Sequence, residues 1–231
     1  MKLKSILRSF VSLFFPKLCI ICKEPLCGDE EFLCLECLFR IPVTGYHLSE
    51  TNQTKDRFLG KIPVKKAASW LYYYKGGVGQ QLIAEIKYRE NTGLGFWVGK
   101  KYAEELHSNG FFEDIDLIVP IPLHLSKKRK RGFNQSEIIA KGIAEICGLS
   151  IETKNLQRIK ANTTQTKKGF YDRWLNTREV FHVIDETAFS DKHVLLVDDV
   201  LTTGSTLENA ASCLLEIKKC SVSILTITIA Q

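Results

Sequence analysis

Residues 194–206 read VLLVDDVLTTGST, and no other stretch limits what this chain can fold into so tightly. Val194, Leu195, Leu196 and Val197 are apolar in succession, which suits a short strand covered on both faces, as in a parallel sheet. Asp198 and Asp199 then stand at its carboxyl end. A tight turn of small and hydroxylated residues, Thr202, Thr203, Gly204, Ser205 and Thr206, leads into TLENAASCLLEIKK, where Leu207, Ala210, Ala211, Leu214 and Leu215 share one helical face. A helix amino terminus offers free N–H groups and partial positive charge, and the hydroxyls add donors, so a phosphate monoester fits there. The carboxylates accept and do not donate. They suit vicinal sugar hydroxyls, or a magnesium ion shared with a pyrophosphate. The stretch therefore fits a ribose 5-phosphate carrying a further charged group, whereas a merely capped helix after a buried strand leaves the adjacent acids unexplained.

The run resembles the signature that binds 5-phosphoribosyl 1-diphosphate (PRPP) in type I phosphoribosyltransferases: four hydrophobic residues, two acids, then a Thr-Thr-Gly-Ser-Thr loop. The resemblance implies a mostly parallel sheet flanked by helices.

At 231 residues with 45% hydrophobic content, the chain has room for one α/β domain and a small appendage. The formal charge of +6 is modest, so basic character matters only where it is clustered. Of eight cysteines, five lie between Cys19 and Cys37, a distribution that favours an intracellular metal site over a disulfide framework.

The opening MKLKSILRSFVSLFFPKLC superficially resembles an export signal. Arg8 interrupts its apolar run, however, and Lys17 and Leu18 stand where cleavage wants small residues. Ile6, Leu7, Phe10, Val11, Phe14 and Phe15 have roughly helical spacing, so a short amphipathic helix is expected, packed on a domain or a partner, or else lying on a membrane surface. No stretch approaches the roughly 20 apolar residues that span a bilayer. Localisation is expected to be cytoplasmic, with peripheral attachment at the inner membrane as the alternative.

Cys19, Cys22, Cys34 and Cys37 form two C-x-x-C pairs, each able to turn two thiolates toward one point. Together they make the four-sulfur tetrahedron that zinc prefers, a closed and therefore structural site. Cys27 reads as a free thiol inside the loop, unless it exchanges with one of the four. Residues 42–66, with two glycines, two prolines and SETNQTKDR, read as a linker or surface loop, which divides the chain into 1–60 and 61–231. AASWLYYYK reads as the first strand of the larger part, GQQLIAEIKYRE as a helix, and Leu94–Leu106 as a second helix. GLGFWVG fails as a dinucleotide glycine motif because it follows a helix and its last glycine comes one position late.

In IDLIVPIPLHLSKKRKRGFNQSEIIAKGIAEICG, Ile115–Ile121 read as a strand, and Asn134 with Glu137 three residues later as a helix start. Between them stand Lys127, Lys128, Arg129, Lys130 and Arg131, then Gly132. Such a loop is a solvated turn, a nucleic-acid patch or the lip of an anion site. Ligands of open α/β sheets bind beyond the carboxyl ends of strands, where this loop and the Asp198 loop both fall, so a pyrophosphate between them is natural. His124 and His182 are read as structural. Residues 220–231 read as a final strand.

The block IVPIPLHLSKKRKRGFNQSEIIAKGIA resembles the V-P-V-P-L-H and R-G-F-N-Q block of the ComF family, matching at Arg131, Gly132, Phe133, Asn134 and Gln135. LQRIKANTTQTKKGFYDRWLNT resembles its downstream block at Arg158, Thr164, Gln165, Arg173 and Asn176, with Thr177 replacing a usual valine. The resemblance implies a zinc ribbon joined to a type I phosphoribosyltransferase domain, associated with DNA uptake in competent bacteria. By analogy, 158–178, with Arg158, Gln165 and Arg173, is a candidate loop closing over bound PRPP and excluding water.

Two functions follow as expectations. In the first, the protein binds PRPP with magnesium and transfers the phosphoribosyl group to a nitrogen nucleophile. Asp198 and Asp199 hold the ribose hydroxyls, 202–206 the 5-phosphate, and Arg131 with Gly132 the leaving pyrophosphate. In the second, the zinc ribbon and Lys127, Lys128, Arg129 and Lys130 grip single-stranded DNA without catalysis. Competence-machinery proteins are expected partners of either.

Overall fold

The computed structural model of the protein describes residues 16–124, 129, 131–159 and 180–231. Its frame is a five-stranded sheet, parallel throughout, in the spatial order β1 (Val64–Tyr73), β7 (Ser221–Ala230), β6 (His193–Leu201), β2 (Leu117–Pro120) and β3 (Ser150–Ile151). Among the described residues the α-helices are α1 (Leu35–Phe39), α2 (Gln53–Asp56), α3 (Val78–Tyr88), α4 (Thr92–Ser108), α5 (Gln135–Cys147) and α6 (Ser205–Leu215), with an antiparallel hairpin of β4 (Leu156–Ile159) and β5 (Val180–Val183).

Successive side chains of a strand point to opposite faces, and β6 feeds two cores accordingly. Leu195 and Val197 enter a core built with Leu82, Ile86, Leu94, Ile139 and Ile143 of α3, α4 and α5. Val194 and Leu196 enter a second core with Leu207, Ala210, Ala211 and Leu214 of α6 and with Leu156 and Phe181 of the hairpin. Continuous apolarity in VLLV thus reflects a strand sandwiched between helical layers. β7, beside it, is the more continuously buried strand: residues 222–229 are all buried, and its polar members are satisfied, Thr226 Oγ1 bonding to Ser69 Oγ at 2.6 Å and to the Thr228 carbonyl at 3.2 Å.

The expected elements after residue 60 are all present with shifted ends. The strand read as Ile115–Ile121 is confined to Leu117–Pro120. The glycines of GLGFWVG lie within α4, where they serve helix packing. A Cβ on Gly99 would stand 2.2 Å from the Ile139 carbonyl oxygen, and one on Gly142 of α5 2.0 Å from that of Phe96, so the two backbones touch where only hydrogen fits. Of residues 42–66, read as a loop, 64–66 open β1, and the stretch before them is tied to that strand at Thr44, Asn52 and Thr54. Thr44 N–H donates to the Trp70 carbonyl, Asn52 Nδ2 donates to that of Ala67 at 2.9 Å, and Thr54 Oγ1 to Ser69 Oγ at 2.9 Å. The helix expected before Pro16 lies outside the described residues, as do Lys127, Lys128, Lys130, Thr164, Gln165, Arg173, Asn176 and Thr177.

Candidate functional site

From β2 the chain passes through α5 to β3 on one side, whereas β6 pairs with β2 on the other. Strand order reverses between β2 and β6, and a crevice opens at their carboxyl ends. β2 pairs with β6 only as far as Pro120 opposite Val197; Ile121 N–H closes the ladder on the Val197 carbonyl at 2.9 Å, and Asn134 Nδ2 holds the Ile121 carbonyl at 3.0 Å. On its other edge β6 stays paired with β7 as far as Leu201 opposite Ile229. The strand therefore does not end before the acids, as its apolar run implied. It continues four residues further, carrying Asp198 and Asp199 past the end of β2 on a backbone anchored by β7.

Adjacent strand residues face opposite ways, and the two carboxylates meet different partners. Asp199, 8% exposed, takes the Lys87 ammonium of α3 at 2.8 Å from Oδ2 and 3.0 Å from Oδ1. Asp198 Oδ1 accepts from Ser136 Oγ at 2.8 Å and from the Asp199 N–H at 2.9 Å. Burial and then the charge of Asp199 push the Asp198 carboxyl up to about 7. Arg158 of β4 responds to Asp198 from the hairpin side: burial lowers its guanidinium and the Asp198 charge opposes that.

The turn after β6 leaves Thr202, Thr203 and Ser205 exposed beside the first turn of α6. Gly204 adopts φ +86, and Phe58 lies 3.2 Å from where its Cβ would be, so the turn has both a left-handed backbone and a packed floor. Thr203 Oγ1 and Ser205 Oγ are 3.0 Å apart. Across the crevice Arg131 lies over the ring of Tyr88, its guanidinium carbon 5.8 Å from the centroid, and Gly132 has φ +75. Asn134 caps α5 through Ser136 N–H at 3.2 Å; Glu137, expected to share a capping box, pairs with Lys141 instead. Gln135 Nε2 is buried with no acceptor among the described residues.

Structure thus brings Asp198, Asp199, the 202–206 turn, Arg131 and Arg158 to one end of the sheet. It adds Lys87, Ser136, Tyr88 and Phe58, which the sequence reading missed. Ser136 directly follows the Arg131–Gln135 block and was findable; the other three sit in segments with only helical or linker character. Arg129 is exposed, as is His182 on β5.

The ribbon is a separate centre. Sγ atoms of Cys19, Cys22, Cys34 and Cys37 lie within 4.8 Å of one another, Cys22 and Cys34 at 3.7 Å. Zinc–sulfur bonds of about 2.3 Å place sulfurs roughly 3.8 Å apart, so the cluster fits the ion. Each knuckle is closed by backbone: Lys23 N–H to the Cys19 carbonyl at 3.0 Å with Lys23 at φ 66, and Leu38 N–H to that of Cys34 at 2.9 Å. Burial opposes ionisation of Cys19, but N–H groups of Cys34, Cys22 and Ile21 outweigh it and bring the thiol down to about 6. Cys27 stands outside the cluster. Glu30 clamps the loop, accepting from the Cys27 and Leu35 N–H groups, both at 2.7 Å. Phe32 fixes the ribbon to α4 edge-on against Trp97, with centroids 5.9 Å apart. From Pro16 to Ile41 five carboxylates face three cations, an unfavourable surface for phosphates.

Parallel topology, the acid pair and the hydroxylated helix entrance define a phosphoribosyltransferase-type domain with a four-cysteine appendage. The profile of the phosphoribosyl transferase domain family matches residues 91–230, and the chain belongs to that family. Within it, the chain is of the ComF type. It is 26% identical over 211 residues to the DNA utilization protein YhgH of Salmonella typhimurium, covering 87% of this chain and 91% of that one. It is 26% identical over 216 residues to competence protein F of Haemophilus influenzae, covering 87% and 92%. Competence protein ComFC of Bacillus subtilis is 36% identical over 112 residues, covering 48% of this chain and 43% of that one. Among the described residues no helix is long and apolar enough to cross a membrane.

Proposed function

We propose that the crevice between β2 and β6 binds PRPP with magnesium and transfers its phosphoribosyl group to a nitrogen acceptor. One observation carries this reading: β6 extends beyond β2 and holds two carboxylates beside a hydroxylated helix entrance. Asp198 and Asp199 accept the ribose hydroxyls, the 202–206 turn and α6 hold the 5-phosphate, and Arg131 with Gly132 receives the diphosphate. The donor set suits cations, since Asp199 already holds the Lys87 ammonium. Magnesium, when bound, neutralises diphosphate charge and eases its departure. Arg158, within electrostatic reach of Asp198, flanks the bound ligand from β4.

Its place on this reading is the cytoplasm, with peripheral attachment at the inner membrane as the alternative, and its role lies in competence or DNA utilisation alongside competence-machinery proteins, the role being in line with the names of its relatives. Changing Asp198 and Asp199 together to Asn keeps size and most hydrogen bonding. The double variant should keep its fold and lose PRPP affinity several-fold or more; undiminished affinity would sink the assignment.

A second reading, single-stranded DNA on Lys127, Lys128, Arg129 and Lys130, is favoured by the exposed Tyr88 ring beside Arg131, a surface for base stacking. Affinity should then fall with salt at a slope of about 0.7 per phosphate contact. An unchanged slope in Lys128→Glu, Lys130→Glu would place any DNA contact elsewhere.

A further inference from the structure

Lys87 and Tyr88 are consecutive at the end of α3, yet they reach the two walls of the crevice: Lys87 the acid pair on β6, Tyr88 the guanidinium of Arg131. Lys87 is the closer to the chemistry. Its side chain is 20% exposed and that of Asp199 11%, so the pair is largely withdrawn from water and each charge depends on the other. Both carboxylate oxygens of Asp199 are within 3.0 Å of one ammonium. A sugar hydroxyl donating to Asp199 therefore meets two oxygens that Lys87 already engages.

On the reading that this crevice binds PRPP, the displaced ammonium has one near destination. The hydroxyls held by the acids sit on C2 and C3 of the ribose, and the diphosphate on the neighbouring C1. The 5-phosphate is directed to α6, whereas Lys87 immediately precedes Tyr88, the residue that packs on Arg131. We propose that Lys87 is a positioning and specificity residue: it neutralises Asp199 in the empty site and moves onto the diphosphate oxygens when the ribose hydroxyls take the carboxylate. An ammonium on a flexible four-carbon stem can change partners in this way without backbone movement. The exchange makes the diphosphate a condition for vacating the acid, so a ribose lacking it binds against the Lys87–Asp199 pair.

Titration calorimetry of the full chain with PRPP and with ribose 5-phosphate tests this. Wild type should prefer PRPP. Lys87→Met should lower PRPP affinity by roughly ten- to hundred-fold, the worth of a hydrogen bond to a charged group, and leave ribose 5-phosphate binding equal or tighter. Lys87→Gln keeps a donor toward Asp199 without the charge and should show the same collapse of preference, which covers a Lys87→Met protein that fails to fold. Lys87→Arg should restore much of the preference. Parallel loss of both ligands, or an unchanged ratio in the Met and Gln variants, overturns the proposal while the PRPP site stands. Absence of PRPP binding in wild type overturns both.

Discussion

Ser136 Oγ donates to Asp198 Oδ1 at 2.8 Å and so ties the amino terminus of α5 to the end of β6, across 62 positions of sequence. The bond spans the reversal point of the sheet. It couples the loop that carries Arg131 to the strand that carries the acids, through a side chain whose neighbour Asn134 also holds the end of β2. Removing the hydroxyl removes a neutral side-chain donor from this carboxylate. Ser136→Ala should cost about 1–3 kcal/mol of stability or ligand binding and shift the Asp198 titration upward, because the bond favours the ionised form. Carboxyl carbon NMR across pH checks it; an unmoved titration would mean that Ser136 does not govern the acid.

The raised carboxyl of Asp198 fixes the sign of a pH effect. Its folded value, about 7, exceeds the usual carboxylate value of 3.8, so the folded state binds the proton more tightly than the unfolded chain. The penalty is absent below the unfolded value, grows as pH rises, and is complete above about 7. Asp198→Asn should therefore stabilise the ligand-free protein more at pH 8 than at pH 5, by about 2–4 °C in melting temperature for each kcal/mol relieved. Melting curves of both proteins at the two pH values decide it. Equal shifts at both would contradict the assignment.

Backbone contact between α4 and α5 yields a stability prediction far from any site. A Cβ on Gly142 would lie 2.0 Å from the Phe96 carbonyl oxygen and 2.8 Å from the Lys100 nitrogen, neither of which can move alone. Gly142→Ala should destabilise by roughly 1–3 kcal/mol or more. Denaturant melts reading near wild-type stability would show that the helices can separate cheaply.

The ribbon should hold about one zinc per chain. Cys34→Ser should release the ion, and Cys27→Ser should spare it, since Cys27 lies outside the four-sulfur cluster. Metal removal should disturb the Phe32–Trp97 contact and hence tryptophan fluorescence before the sheet unfolds. Protein purified without chelator that contains no metal by elemental analysis would refute this.

Residues whose chemistry is local were legible. The paired C-x-x-C spacing anticipated the sulfur cluster, VLLV a strand buried on both faces, and Thr202–Thr206 the helix entrance. What escaped depends on pairings between distant segments. The length of β6 is set by β7, which accompanies it to Leu201, and the placing of its acids past the last β2 pairing by the early end of β2; neither is written in residues 194–206. Lys87 looks like any charged position on an amphipathic helix until folding brings it 2.8 Å from Asp199. Residues 42–66 read as a loop because Asn52 and Thr54 are polar, but those side chains satisfy backbone and hydroxyl groups along β1.

The central claim is that the acid pair beyond β2 belongs to a PRPP site, and calorimetric titration of wild-type protein with PRPP, with and without magnesium, tests it most directly. Saturable, magnesium-strengthened binding of one PRPP per chain is the predicted result. No heat of binding at millimolar PRPP with magnesium present would contradict it, and would mean that the protein keeps the fold of a phosphoribosyltransferase without its ligand.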